Sequence, residues 1–87
     1  MDRDVVAVTR TGEFTLRLTF GDGTVGEVDF ASVLSFKGVF APLKDPSEFA
    51  KVAVNPEIGT ICWPGGADID PYVLYSRVTG APLPGQN

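Results

Sequence analysis

The chain has 87 residues, 44% of them hydrophobic and 21% charged, with a net charge of −4, one cysteine and no histidine. A length of this order gives one domain with a thin core, because a small chain buries only about 60 to 65% of the surface its unfolded form exposes. A single cysteine leaves no internal disulfide, the missing histidine removes Ser-His-Asp and Cys-His catalysis and His-ligated zinc, and basic residues scattered at 3, 10, 17, 37, 44, 51 and 77 form no stripe for nucleic acid.

The chain starts "MDRDVV", with acids where a secretory signal would carry a basic and then an apolar stretch. No apolar run approaches the roughly 20 residues needed to cross a bilayer, so no membrane association and a cytoplasmic location are the expectations. Val5 to Arg10 is short and β-branched, and the following Thr11-Gly12-Glu13 predicts an antiparallel hairpin turning through Gly12. In "EFTLRLTF", Phe14, Leu16, Leu18 and Phe20 alternate with Thr15, Arg17 and Thr19, the period of a sheet with one dry face and one wet face.

The next turn, Gly21-Asp22-Gly23, permits two registers. A two-residue loop would set Glu27 opposite Leu18 and Asp29 opposite Leu16, burying carboxylates at high cost. A three-residue loop pairs Phe20 with Thr24, Leu18 with Gly26, Leu16 with Val28 and Phe14 with Phe30, and places Gly23 in the left-handed region. The three-residue loop is therefore predicted.

After Phe30 the alternation stops, and the stretch to Val52 reads as short helical turns separated by Gly38 and Pro42. Asp45-Pro46-Ser47-Glu48 is a helix start, with Asp as the cap, Pro at the first position and Phe49 turned inward. Strand character resumes at "KVAV" and, past Asn55-Pro56-Glu57, at "IGTICW", a second hairpin whose register the pattern does not fix. Pro64-Gly65-Gly66 then forces a reversal, and Asp70 before Pro71 repeats the capped start for "PYVLYSR".

Several motifs with a chemical reading have a plainer one. Gly21, Gly23 and Gly26 spell G-x-G-x-x-G, but they precede a β-branched strand and not the helix whose amides would face a pyrophosphate. Asp68 and Asp70 form a D-x-D pair that could share a divalent cation, yet Asp70 has a capping role and the pair lacks further ligands close by in the chain. Cys62 lies in an apolar strand with no neighbour in sequence that would lower its pKa, so it reads as a small buried hydrophobe. Serines 32, 35, 47 and 76 have no histidine to activate them. No catalytic residue, cofactor or metal ligand is assigned.

The chain's only Trp and both its Tyr residues fall in "WPGGADIDPYVLY", Trp63 to Tyr75. Trp63, Tyr72 and Tyr75 are large rings with one polar edge each, suited to closing a thin core or to anchoring a partner, and they are the candidate partner-binding residues.

Together with Phe20-Gly21-Asp22-Gly23, Val28 to Phe30 and Leu43 to Phe49, this segment resembles the domain of unknown function 2442 family of small prokaryotic proteins, over roughly Asp4 to Tyr75. The resemblance implies an α+β fold without an established activity, in proteins often encoded beside another small protein as in toxin and antitoxin pairs.

The expectations are therefore one α+β domain over residues 1–78 and a flexible tail over 79–87. Its antiparallel-rich sheet has about five strands in β-β-β-α-β-β-α order, with short helices packed on one face. The expected function is a non-enzymatic protein-interaction module, the antitoxin-like partner of a neighbouring gene's product. The alternative is a small-ligand or divalent-metal enzyme built on Asp68, Asp70 and Asp29. Homo-oligomerisation through an unpaired edge strand is left open.

Overall fold

The structure, a computed structural model, describes residues 3–80. Three strands, β1 (Val5–Arg10), β2 (Thr15–Phe20) and β3 (Val25–Asp29), form an antiparallel sheet in that order. The helical stretch follows as α1 (Phe30–Val33), a 3₁₀ helix (Gly38–Lys44) and α2 (Pro46–Phe49). A second antiparallel pair, β4 (Ala53–Asn55) and β5 (Thr60–Cys62), leads to α3 (Pro71–Thr79). The α+β class and the element order are as the sequence predicts, and the five strands stand in two sheets. The sheets meet at the start of β1, where the Val5 amide donates to the Gly59 carbonyl at 2.9 Å.

The register of the β2–β3 hairpin is the one that spares the carboxylates. Leu16 faces Val28 and Leu18 faces Gly26, the Phe20 amide donates to the Thr24 carbonyl at 2.8 Å, and Gly23 has a φ of 90°. Leu16, Leu18, Phe20, Val28 and Phe30 are all buried on the inner face, whereas Arg17 and Glu27 pair across the outer face at 3.3 Å. That exposed ion pair contributes little to stability; its value lies in keeping the outer face wet.

The β1–β2 hairpin turns through Gly12 as expected, but β1 carries a bulge. Val5 pairs with Phe20 and Ala7 with Thr19, so Val6 is an extra residue. The insertion lets Val5 and Val8, an odd number of positions apart, both pack on the core while Val6 points out at 55% exposure.

In the helical stretch, Asp45 caps α2 by accepting from the Ser47 amide at 3.0 Å, and Phe49 is fully buried. Pro42, expected to separate helical turns, instead lies inside the 3₁₀ helix, which Gly38 opens at a φ of 59°. A tight i→i+3 helix of seven residues has few amides to lose, so one proline is tolerated. Phe36 adopts a φ of 53°, a conformation strained for an aromatic residue, and its ring lies 5.4 Å from that of Phe14.

Helix α3 crosses the inner face of β3 at Gly26. A side chain at Gly26 would run into Val78, so the missing Cβ is what admits the helix to this distance. Thr79 ends α3, Gly80 caps it at a φ of 78°, and residues 81–87 of the expected tail lie outside the described residues. Among the described residues no helix is long and apolar enough to cross a membrane.

Two outcomes check this packing. Gly26→Ala should lower unfolding stability by roughly 1–3 kcal/mol in urea titrations, the usual cost of overfilling a packed site. Adding Val78→Ala to Gly26→Ala should recover part of the loss, a coupling that two independent sites would not show.

Candidate functional site

The corner from Ile61 to Tyr75 is built on glycines and aspartates. The Trp63 carbonyl accepts from the Gly66 amide at 3.1 Å and the Trp63 amide donates to the Ala67 carbonyl at 2.9 Å, with Gly65 and Gly66 at φ of 102° and 95°. This hairpin returns the chain so that Asp68 bridges to Cys62 beside β5. The Thr60 hydroxyl, buried, donates to the Ile69 carbonyl at 2.6 Å and fixes the returning strand.

Trp63 points into the core at 2% exposure, and its indole N–H donates to the Phe49 carbonyl at 2.8 Å. The ring lies 5.6 Å from Phe49 and 6.3 Å from Phe30. Its polar edge is thus satisfied by backbone and its faces by aromatics, so Trp63 closes the core and presents nothing at the surface. Cys62, expected to be buried, is half-buried: in β5 its neighbour Ile61 takes the inward face.

Tyr72 and Tyr75, three residues apart on α3, share a helix face and are both half-buried. Tyr75 packs edge-on against Phe20 at 5.0 Å, which holds its ring while its hydroxyl reaches out to donate to the Asp22 carboxylate at 2.5 Å. Asp22 also accepts from the Thr24 amide at 2.9 Å, so the β2–β3 turn is tied to α3 through one carboxylate. These bonds hold the Asp22 carboxyl below its ordinary pKa, the Tyr75 hydroxyl contributing most and the Thr24 amide next. The Arg3 guanidinium lies over both rings, 4.8 Å from the centre of Tyr75 and 5.8 Å from that of Tyr72. Within one surface patch stand two phenol rings, a cation on their faces and an anion at the tip of one.

Sequence reasoning finds the two tyrosines but misses Arg3 and Asp22. Arg3 is 69 positions from Tyr72 and sits in no motif, and Asp22 reads as turn chemistry, which it also performs.

The carboxylates of the enzyme alternative do other work. Asp70 caps α3, accepting from the Tyr72 amide at 2.8 Å, and Asp29 caps α1, accepting from the Ala31 amide at 3.0 Å. Asp68 is exposed beside Cys62. Among the described residues no three His, Cys, Asp or Glu side chains gather as a metal ion would require.

A family model described as a protein of unknown function (DUF2442) matches residues 5–80. No curated protein and no solved structure matches the chain.

Trp63→Ala should cost roughly 3–5 kcal/mol of unfolding stability, the usual range for emptying a buried aromatic site. Trp63→Phe should cost less yet remain measurable, because the Phe49 carbonyl loses its shorter hydrogen bond and keeps the Val52 amide at 3.3 Å. For Asp22, a lowered folded-state pKa means a contribution present above the unfolded value of about 3.9 and lost as pH falls through the folded value. Thermal midpoints measured from pH 6 down to pH 2 should therefore fall less steeply in Asp22→Asn, and in Tyr75→Phe, than in the parent chain.

Proposed function

We propose, for a chain that belongs to the family of unknown function DUF2442, a non-enzymatic role as a protein-interaction module, the antitoxin-like half of a pair with another small protein encoded beside it. The observation that carries this reading is the surface cluster of Tyr72, Tyr75 and Arg3. Tyrosine and arginine are the residue types enriched where proteins bind one another, because each offers a large rigid or planar surface together with hydrogen-bonding capacity. Here the two tyrosines stand half-buried on α3 with Arg3 over their rings, and Phe20 backs Tyr75 from the core, so that ring has little conformational freedom to lose on binding.

The remaining chemistry supports the same direction. The aspartates at 22, 29, 45 and 70 each accept a backbone amide two residues on, which commits them to holding corners. A net charge of −4 favours encounter with a basic partner over a nucleic acid or an anionic bilayer. The pairing with a neighbouring gene's product rests on the resemblance noted from the sequence.

The test is co-expression with the product of the adjacent gene, followed by affinity capture and calorimetry. A complex with micromolar or tighter affinity is expected, and Tyr72→Ala with Tyr75→Ala should weaken it by about 30-fold or more, the effect of removing an interface anchor. Absence of binding at micromolar concentration, or binding indifferent to both tyrosines, overturns the reading.

A further inference from the structure

Resting on that interaction reading, we infer that the faces of Tyr72 and Tyr75 form a receptor for a guanidinium group, occupied in cis by Arg3 and taken in trans by an arginine of the partner, with Asp22 holding the Tyr75 ring in place through its hydroxyl. The geometry already displays the ligand chemistry. A guanidinium sits over both rings at 4.8 and 5.8 Å, and the ring nearer to it is fixed from below by Phe20 and at its tip by Asp22. A planar, weakly hydrated cation stacks on such faces more readily than a compact ammonium does, so arginine is favoured over lysine.

Arg3 is suited to be a removable occupant. It lies just outside β1, whose first residue Val5 is held by Gly59, and the Asp4 carbonyl accepts from the Gly21 amide at 2.9 Å. The backbone is thus pinned immediately after Arg3, and the side chain can leave the rings without unpairing a strand. Other basic side chains have different partners: Arg17 pairs with Glu27, Lys51 with Glu48, and the Arg10 guanidinium donates to the Glu13 carbonyl at 3.4 Å. Both tyrosines are half-buried at the surface, with Arg3 over their rings, and the net charge of −4 draws a cationic segment presented by another protein toward them.

The experiment follows the ring resonances of Tyr72 and Tyr75 by NMR in the parent chain and in Arg3→Ala. The titrants are N-acetyl-arginine amide, N-acetyl-lysine amide and N-acetyl-glutamine amide. In Arg3→Ala both rings should shift saturably at roughly 30 to 200 millimolar arginine compound, the strength of two exposed cation–π contacts, less with lysine and not with glutamine. The parent chain should need about fivefold more, because Arg3 competes from a tethered position. Arg3→Gln serves as a second opened variant if Arg3→Ala unfolds. Titrations that do not saturate in either opened variant, or identical curves with and without Arg3, overturn the inference. Capture of the neighbouring gene's product together with flat titrations sinks the guanidinium receptor and leaves the interaction reading standing. Saturable arginine binding without any such capture does the reverse.

Discussion

The fold is organised around the bond from the Trp63 indole to the Phe49 carbonyl. A helix of four residues such as α2 cannot hold itself together in water, since nucleation costs more than one turn returns. It persists because Asp45 satisfies its first amides, Phe49 packs against Phe14, Phe30 and Trp63, and the indole caps the carbonyl at its last residue. The same bond brings the corner after β5 against the helical stretch before β4, so the two sheets share one aromatic centre. In a chain with so small an interior, one well-satisfied ring substitutes for the extra layers a larger domain would have.

Around that centre four aspartates and one asparagine act as architecture. Asp22, Asp29, Asp45, Asn55 and Asp70 each accept the amide two residues on, and every one marks a change of direction between elements. At Asp22 and Asp45 these bonds also hold the carboxyl below its ordinary pKa, which makes the two side chains poor general bases. Four of the chain's 11 acidic residues are thus committed to its bends, and the net charge of −4 leaves a negative field outside the molecule.

How much was legible in the sequence depended on whether a wrong alternative carried a large cost. The β2–β3 register was readable because the competing loop would have buried Glu27 and Asp29. The capped starts at Asp45 and Asp70 were readable because Asp-Pro has one comfortable place in a helix. The second hairpin offered no such contrast: strands of three residues are too short to show alternation, and its register is set by the Asn55 turn and by Gly59, whose φ of 69° and contact with Asp4 depend on the finished fold. The left-handed backbone of Phe36 was illegible for the same reason, since its ring packs against Phe14 and the core only in the finished fold. The surface cluster was half visible: helical spacing put Tyr72 and Tyr75 together, but nothing local could bring Arg3 to them.

The bulge at Val6 bears on what this molecule does in a crowded solution. β1 is an edge of its sheet, and an uninterrupted edge would invite another copy to lie alongside and propagate as a fibril. The amide of Val5 is already taken by Gly59, and directly after it the added residue breaks the spacing that an incoming strand would have to match. The same irregularity that lets Val5 and Val8 both pack inward therefore interrupts the regular spacing that a straight edge would offer to an incoming strand.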